Sequence, residues 1–164
     1  TSGNGRWIQD PRGWWYMYES GGYPASCWKE IKNAWYYFNS DGYILTHWGK
    51  IDGRWYYFGA DGARKTGWQF VDGRWYYLED NGIMATQWKW INGKWYYLDA
   101  SGAMTTGWQY IRNRWYYMDA SGAMTTGWQY INGKWYCMDS NGVMYANTWT
   151  PDGRYVDASG ALVR

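Results

Sequence analysis

Tryptophan pairs recur along this chain of 164 residues at a fixed spacing, and their side chains are the strongest candidates for functional groups. The first Trp of each pair recurs every 20 residues, with one extra residue at two of the steps, at Trp7, Trp28, Trp48, Trp68, Trp88, Trp108, Trp128 and Trp149. A second Trp follows in the same unit, as Trp95 follows Trp88. The face of an indole ring attracts cations and packs against methyl groups. The pairs therefore indicate a binding chemistry that is repeated along the chain.

Aromatic residues dominate the composition. The chain has 17 Trp and 19 Tyr against 3 Phe, and its mean hydropathy is -0.73. Because aliphatic side chains are too few for an ordinary core, the sequence predicts an aromatic one. No apolar run approaches the roughly 20 residues of a membrane-spanning helix. The net charge is +2 and the Lys and Arg residues are scattered, which argues against nucleic-acid binding.

The sequence shows no set of residues with the spacing of a catalytic or metal-binding site. His47 is the only histidine, and we interpret it as a surface residue because no second ligand or nucleophile lies near it in the sequence. Carboxylates recur at Asp99, Asp119 and Asp139, and such repeated residues usually form turns. The sequence therefore predicts a binding module with no catalytic residues, metal or cofactor.

The two cysteines are far apart in the array, at Cys27 and Cys137. If repeats stack at about the 10 Å of packed sheets, their Cα atoms lie well beyond the distance of about 7 Å that a disulfide requires. We expect two small buried apolar residues and no intrachain disulfide.

Two-residue turns divide each repeat into two short strands. Asn-Gly and Asp-Gly between aromatic and β-branched runs favour a type I′ hairpin, whose two central residues both need positive φ. The pairs are Lys32-Asn33, Asp52-Gly53, Asp72-Gly73, Asn92-Gly93, Arg112-Asn113 and Asn132-Gly133. A second turn, such as Ser121-Gly122, then starts the connector, the segment that leads to the next hairpin. The period predicts an all-β solenoid of stacked β-hairpin repeats.

The whole chain, residues 1–164, is predicted to form a single module. It contains seven hairpin repeats and an irregular C-terminal hairpin around Trp149 and Tyr155, and residues 1–6 are expected to be a flexible lead-in. The first repeat is also irregular, because its turn is interpreted as the longer Asp10-Pro11-Arg12-Gly13. We expect this repeat to cap one end.

Alternation of side chains between the two faces of a hairpin decides which residues meet. In the repeat that starts at Trp108, one face carries Trp108 and Trp115 and the other carries Tyr116. Stacking in one direction then places the two Trp of one hairpin against the first Tyr of the next. We call such a set a cage and name it by its first Trp. A Met on the connector between the two hairpins is predicted to close its floor.

Five cages follow from this construction, and two less regular sets flank them. The five are Trp28, Trp35 and Tyr56; Trp48, Trp55 and Tyr76; Trp68, Trp75 and Tyr96 with Met84; Trp88, Trp95 and Tyr116 with Met104; and Trp108, Trp115 and Tyr136 with Met124. The flanking sets are Trp7, Trp15 and Tyr36, and Trp128 and Trp135 with Met144, where Val156 replaces the Tyr. Three aromatic faces around one gap can hold a quaternary ammonium by cation–π attraction and methyl burial.

Other recurring apolar residues are predicted to be core only. They are Tyr57, Tyr77, Tyr97 and Tyr117, with Ile51, Val71, Ile91 and Ile111.

The repeats resemble the choline-binding repeats, also called cell-wall-binding repeats, of pneumococcal autolysins, surface proteins and phage endolysins. The resemblance extends from Arg6 to Val163 and rests on Gly-Trp pairs such as Gly107-Trp108, Trp-Tyr-Tyr triplets, and the Gly-x-Met motif. It implies a left-handed superhelix of β-hairpins whose cages hold the choline of teichoic and lipoteichoic acids. It also implies secretion to a Gram-positive cell surface, or a phage lysin, and an anchor for a neighbouring domain, commonly a wall hydrolase. Some relatives dimerise through C-terminal hairpins, and a homodimer is left open here.

Three connectors depart from the Gly-x-Met motif, with Pro24, Ile44 and Arg64 in place of Met. An inward-pointing Arg64 would repel a quaternary ammonium, so we expect the Trp48 cage to be weakened.

Carbohydrate binding is the alternative function. Glucan-binding repeats of streptococcal glucosyltransferases and the receptor-binding repeats of clostridial toxins share the hairpin architecture, and sugars also stack on Trp and Tyr. Toxin-type repeats often have Lys or His as the first residue of the aromatic triplet. Here that residue is Trp in every hairpin except the last, which favours choline.

Overall fold

The structure is a computed structural model that describes residues 4–164, and it consists of short β-strands joined by turns and connectors. Within this range there are sixteen strands and no helix. Each strand pairs with its neighbour in the sequence, so the strands form antiparallel hairpins, each a separate two-stranded sheet. The predicted all-β array of hairpin repeats is confirmed.

The hairpins belong to two compact units, Thr1–Ala85 and Thr86–Arg164. The first contains β1 (Gly5–Asp10), β2 (Gly13–Tyr18), β3 (Cys27–Ile31), β4 (Ala34–Phe38), β5 (His47–Ile51), β6 (Arg54–Phe58), β7 (Gly67–Val71) and β8 (Arg74–Leu78). The second contains β9 (Gln87–Ile91), β10 (Lys94–Leu98), β11 (Gly107–Ile111), β12 (Arg114–Met118), β13 (Gly127–Ile131), β14 (Lys134–Met138), β15 (Thr148–Trp149) and β16 (Tyr155–Val156).

The hairpin turns from β3–β4 to β13–β14 have the backbone that the turn pairs predict. φ is 49° at Lys32 and 68° at Asn33, and it is 50° at Asn132 and 85° at Gly133. Two consecutive residues of positive φ give the turn a twist that matches the right-handed twist of the strands. This register puts Trp108 opposite Tyr117 and Gln109 opposite Tyr116.

The first hairpin is more regular than its sequence suggests. Asp10 pairs with Gly13, so only Pro11 and Arg12 lie between the strands. The prediction of a longer turn was wrong, because Asp10 and Gly13 continue the strand pairing. Strand β1 also begins at Gly5, which contradicts a flexible lead-in at residues 5 and 6; residues 1–3 of that prediction lie outside the described residues.

From the second hairpin onward, one fully buried side chain at the end of the second strand of each hairpin forms the centre of the core. These residues are Phe38, Phe58 and Leu78 in the first unit and Leu98, Met118, Met138 and Val156 in the second. The prediction of an aromatic core is therefore correct only for part of the chain: Phe38, Phe58 and Tyr16 are buried aromatic residues, whereas the fully buried residues from Leu78 onward are aliphatic or Met. An indole or phenol is larger than Leu or Met and keeps a polar group near water.

The recurring residues that were predicted to be core are buried to different extents. Ile51, Ile91 and Ile111 are buried, whereas Val71 and the third-position tyrosines Tyr57, Tyr77, Tyr97 and Tyr117 are half-buried.

From β4 onward, each connector folds back on its own hairpin, and a carboxylate or amide side chain within the connector accepts hydrogen bonds from its backbone. Met124 pairs with Met118, and the Thr125 amide donates to the Tyr117 carbonyl. Asp119 Oδ1 accepts hydrogen bonds from the amides of Ser121 and Ala123. The recurring carboxylates Asp99, Asp119 and Asp139 all have this role, as the sequence indicates.

The last hairpin is shorter than the others but keeps their strand pairing. Trp149 lies opposite Tyr155, as Trp128 lies opposite Cys137, so it holds the position of the first Trp that the spacing predicts. The extra residue of this repeat lies before the strand, where Asn147 has a φ of 54°, as Ser26 before Cys27 has a φ of 52°. Trp149 is 66% exposed.

His47, Cys27 and Cys137 have simple structural roles. His47 is exposed, with φ of 61°, and takes the backbone conformation of the glycine that precedes Trp in other repeats. Both cysteines are free; Cys137 is buried as predicted, whereas Cys27 is only half-buried.

None of the described residues belongs to a helix that could cross a membrane.

We expect Phe58→Ala to lower the free energy of unfolding strongly, by about 3–5 kcal/mol as for buried Phe in other cores. The matched control is Phe70→Ala, since Phe70 is 59% exposed while Phe58 is fully buried. Urea unfolding of both variants, followed by circular dichroism, measures the difference. Equal destabilisation would contradict the core described above.

Candidate functional site

The Trp88 cage shows how one hairpin supplies two walls. Trp88 is opposite Tyr97 and Trp90 is opposite Trp95, so Trp88 and Trp95 lie on the same face. Their ring centroids are 6.4 Å apart and their planes are at 89°. Two indoles at a right angle form the corner of a box. Trp95 is 40% exposed, so one indole face remains open to solvent.

The next hairpin supplies the third wall. The Tyr116 ring lies 4.9 Å from the Trp88 ring, at 66° between the planes. The three rings surround an open cavity of about 340 Å³, which is also lined by Met124, Ser140 and Asn141. The structure thus brings together Trp88, Trp95 and Tyr116, the three residues that side-chain alternation predicted to meet.

The Trp108 cage repeats this geometry. Trp108 and Trp115 are 6.2 Å apart at 88°, and Tyr136 lies 5.0 Å from Trp108. The cavity of about 350 Å³ is completed by Met144 and Ser159.

The Trp48 cage in the first unit has the same three walls. Trp48 and Trp55 are 6.4 Å apart at 87°, and Tyr76 is 4.9 Å from Trp48 at 71°. The amide of Met84 donates to the carbonyl of Trp55 over 2.9 Å.

The Met that closes each floor was assigned to the wrong cage. Met124 was predicted for the Trp108 cage and Met104 for the Trp88 cage, but Met124 lines the Trp88 cage and Met144 lines the Trp108 cage. The path of the connector explains the difference. The connector folds back on the hairpin that it follows, and the amide of its Met donates to the hairpin before that one. The Met124 amide accordingly donates to the Trp95 carbonyl over 2.8 Å.

Arg64 is likewise in a different cage from the one predicted. Its amide donates to the Trp35 carbonyl over 2.8 Å, which places it at the Trp28 cage and not at the Trp48 cage. Its guanidinium carbon lies 5.3 Å from the Trp28 ring centroid and 5.5 Å from that of Trp35. Tyr56 lies 4.8 Å from Trp28, as predicted.

The first flanking set contains Trp14, and the prediction of Trp15 was wrong. Trp15 pairs with Ile8, on the face opposite to Trp7, and contacts Tyr23. Trp14 follows Trp7 by seven residues, as Trp35 follows Trp28, and its carbonyl accepts from the Ile44 amide. This spacing was the signal that could have identified Trp14. Tyr36 lies 4.8 Å from Trp7, in agreement with the prediction.

The last flanking set opens into a larger cavity of about 630 Å³. Trp128 and Trp135 line it with Asp152, Arg154 and Leu162, and Trp128 Nε1 donates to Asp152 Oδ2 over 3.0 Å. Val156 does not face this cavity, because it is the fully buried core residue of the last hairpin. Met144, predicted here, lies in the Trp108 cage.

The remaining predicted set, Trp68, Trp75 and Tyr96, has members in both units and stays a prediction. Trp68 and Trp75 themselves are 6.4 Å apart at 87°, like the other pairs. Met84, which was predicted for this set, contacts the Trp55 backbone, as described above.

Polar groups of the connectors, which the sequence did not predict, also line the cavities. Ser140 and Asn141 belong to the connector capped by Asp139, and Ser159 belongs to the one capped by Asp157. Only the back-folding of the connectors brings these residues to the neighbouring cage. Among the described residues, no group of three or more His, Cys, Asp or Glu could hold a metal ion.

Two of the capping carboxylates have lowered pKa values. The hydroxyl of Ser159 donates to Asp157 and is the main cause of its lowered pKa. Burial acts to raise the pKa of Asp119, but hydrogen bonds from Ser121 and the Ala123 amide outweigh it and leave the pKa below 3.8.

Comparisons with known proteins agree with this geometry. The family model described as "Choline-binding repeat" matches residues 25–65, 45–87, 65–106, 85–125 and 105–149. A sequence comparison with curated proteins finds no match.

Three solved structures from Streptococcus pneumoniae are similar to the chain. Choline binding protein F, in the presence of a peptidoglycan analogue, is 40% identical with a TM-score of 0.91, covering 98% of this chain and 58% of that one. CbpJ from strain TIGR4 is 38% identical with a TM-score of 0.91 and the same coverage. The modular autolysin LytC, in complex with a synthetic peptidoglycan ligand, is 30% identical with a TM-score of 0.73, covering 97% of this chain and 37% of that one. The chain thus spans little more than half the length of the first two.

We expect acid to destabilise the connectors. A carboxylate whose pKa is lowered by folding stabilises the native state above its unfolded pKa, and that stabilisation is lost as the pH falls through the folded value. The melting temperature should therefore decrease as the pH drops below about 4, where Asp119 and Asp157 lose their charge.

The double variant Asp119→Asn/Asp157→Asn tests this assignment. Asn keeps the acceptor oxygen, as Asn39 does in its own connector, but does not titrate. Its melting temperature should change less between pH 5 and pH 3 than that of the wild type. An unchanged pH dependence would assign the acid sensitivity to other groups.

Proposed function

Since the chain belongs to the choline-binding repeat family, we propose that its cages bind the choline groups of teichoic and lipoteichoic acids. The observation that carries this proposal is the corner of two perpendicular indoles closed by a tyrosine of the next hairpin. Trimethylammonium presents methyl groups in every direction and a delocalised positive charge. Aromatic faces on three sides match both properties, because they attract the charge and bury the methyl groups.

The lining of the two cavities in the second unit supports a quaternary cation. Apart from the rings, the Trp88 cage presents a thioether, a hydroxyl and an amide, and no residue that lines it is charged. The Trp108 cage presents Met144 and Ser159 and is also free of charged lining residues. An ammonium that bears hydrogens would lose its hydrogen bonds to water in such a site, whereas a quaternary nitrogen has none to lose.

Weak single sites explain why the module is an array. A cation–π contact contributes about 0.5–2 kcal/mol, so a single cage binds choline in about the millimolar range. A polymer that carries many choline groups engages several cages at once, and each further contact is intramolecular and therefore favoured by effective concentration.

The biological role that follows is noncovalent attachment to a choline-decorated cell surface. Similarity to choline-binding proteins and to the modular autolysin LytC supports a secreted protein that anchors a neighbouring domain, such as a wall hydrolase. The described residues contribute the binding function and are assigned no catalytic role.

Trp95→Ala should remove one choline site, because it deletes one wall of the Trp88 cage. Trp149→Ala is the matched control, since Trp149 is 66% exposed and belongs to none of the cages. Isothermal titration with choline chloride gives the number of sites for each variant and the wild type. Unchanged stoichiometry in Trp95→Ala, or an equal loss in the control, would falsify the cage assignment.

Retention on a polymeric resin distinguishes choline from the glucan alternative. The protein should bind a quaternary-amine resin at high ionic strength and elute with free choline, because methyl burial persists when simple ion exchange is screened. Dextran beads should not retain it. Binding to dextran and release by isomaltose, with no effect of choline, would instead support oligosaccharide binding.

A further inference from the structure

We propose that Arg64 is a built-in occupant of the Trp28 cage and keeps choline out of it. This inference rests on the proposed choline binding and adds that the array contains a closed site. A cage that was predicted from the sequence to bind choline is then filled by the protein itself.

The position of the guanidinium is the first observation. Its central carbon lies over both indoles of this cage, 5.3 Å from the Trp28 ring and 5.5 Å from the Trp35 ring. A cation within about 6 Å of a ring centroid is attracted by the negative face of the ring. Arg64 therefore occupies the same region, and makes the same kind of contact, as an incoming choline.

The stem of the side chain is held as a Met is held in the other cages. The Arg64 amide donates to the Trp35 carbonyl over 2.8 Å, and the Met124 amide donates to the Trp95 carbonyl over 2.8 Å. A Cβ added to Gly82 would lie 2.8 Å from Arg64 Nε, so this glycine packs directly on the side chain. Met124 packs on Gly142 in the same way. The methylenes of Arg64 thus replace the Met floor, and the longer chain carries its charge into the cage.

The charge of Arg64 persists inside the cage. Burial lowers the pKa of the guanidinium, while Tyr56 and Glu30 act in the opposite direction. An arginine keeps its proton in a protein. Choline would therefore meet a like charge and a filled space, and it would have to displace a side chain that already makes the cation–π contacts.

A gain of function tests this inference. Isothermal titration with choline should show one more site in Arg64→Met than in the wild type, because Met is the floor residue of the open cages. The combined variant Arg64→Met/Trp35→Ala should lose that added site, which locates it in the Trp28 cage. The reciprocal change Met84→Arg should remove one site from the wild-type number by closing the Trp48 cage.

A spectroscopic measurement covers the case in which Arg64→Met does not fold. In the wild type labelled with ¹⁵N-arginine, the Arg64 Nε resonance should not move when choline saturates the other sites. A shift with the same choline dependence as the other sites would show that choline enters the cage beside or in place of Arg64, and would overturn the inference. So would a folded Arg64→Met that binds no additional choline.

The two proposals fail in different ways. No binding of choline by the wild type or by any variant would refute the proposed function and this inference together. Binding by the wild type, with the same number of sites in Arg64→Met, would refute only the closed cage.

Discussion

A hydrogen bond that recurs between neighbouring repeats positions the cages of this protein. In it, the amide of a connector residue donates to the carbonyl of the second Trp of the preceding hairpin, at Ile44–Trp14, Arg64–Trp35, Met84–Trp55, Met124–Trp95, Met144–Trp115 and Leu162–Trp135. A two-stranded hairpin has little stability alone, so each must pack on a neighbour. The bond sets the distance between them, and the side chain of the donor residue becomes the floor of the cage. The Trp whose carbonyl accepts the bond is also the one whose indole stays exposed.

This arrangement separates the residues that make the array from the residues that tune each cage. The turn pairs, the fully buried residues and the capping carboxylates and amides determine the shape of a repeat, because they act within it. The floor residue has little part in that shape. It can therefore be Ile44, Arg64 or Met84 in successive repeats without loss of the hairpin, while the chemistry of the cage changes from apolar to cationic.

The family resemblance and side-chain alternation point to the same Trp and Tyr residues on different grounds. The resemblance follows from motifs that recur across most of the chain, and the family match covers residues 25–149. Side-chain alternation within a hairpin explains why the two Trp come from one hairpin and the Tyr from the next. Alternation assigned the floor residues to the wrong cages, because the connector that follows one hairpin reaches the hairpin before it. The corrected positions of Met124 and Arg64 follow from that connection.

The sequence alone determined the hairpins, their turns and the faces of their strands, because these depend on interactions between residues close together in the chain. Type I′ turns need positive φ at two adjacent residues, and pairs such as Asn132-Gly133 show that need directly. The tertiary structure decided which connector meets which cage and which side chains are fully buried. Those outcomes depend on packing between repeats, where the back-folded connector crosses to the preceding hairpin. Spacing along the chain carries no record of that crossing.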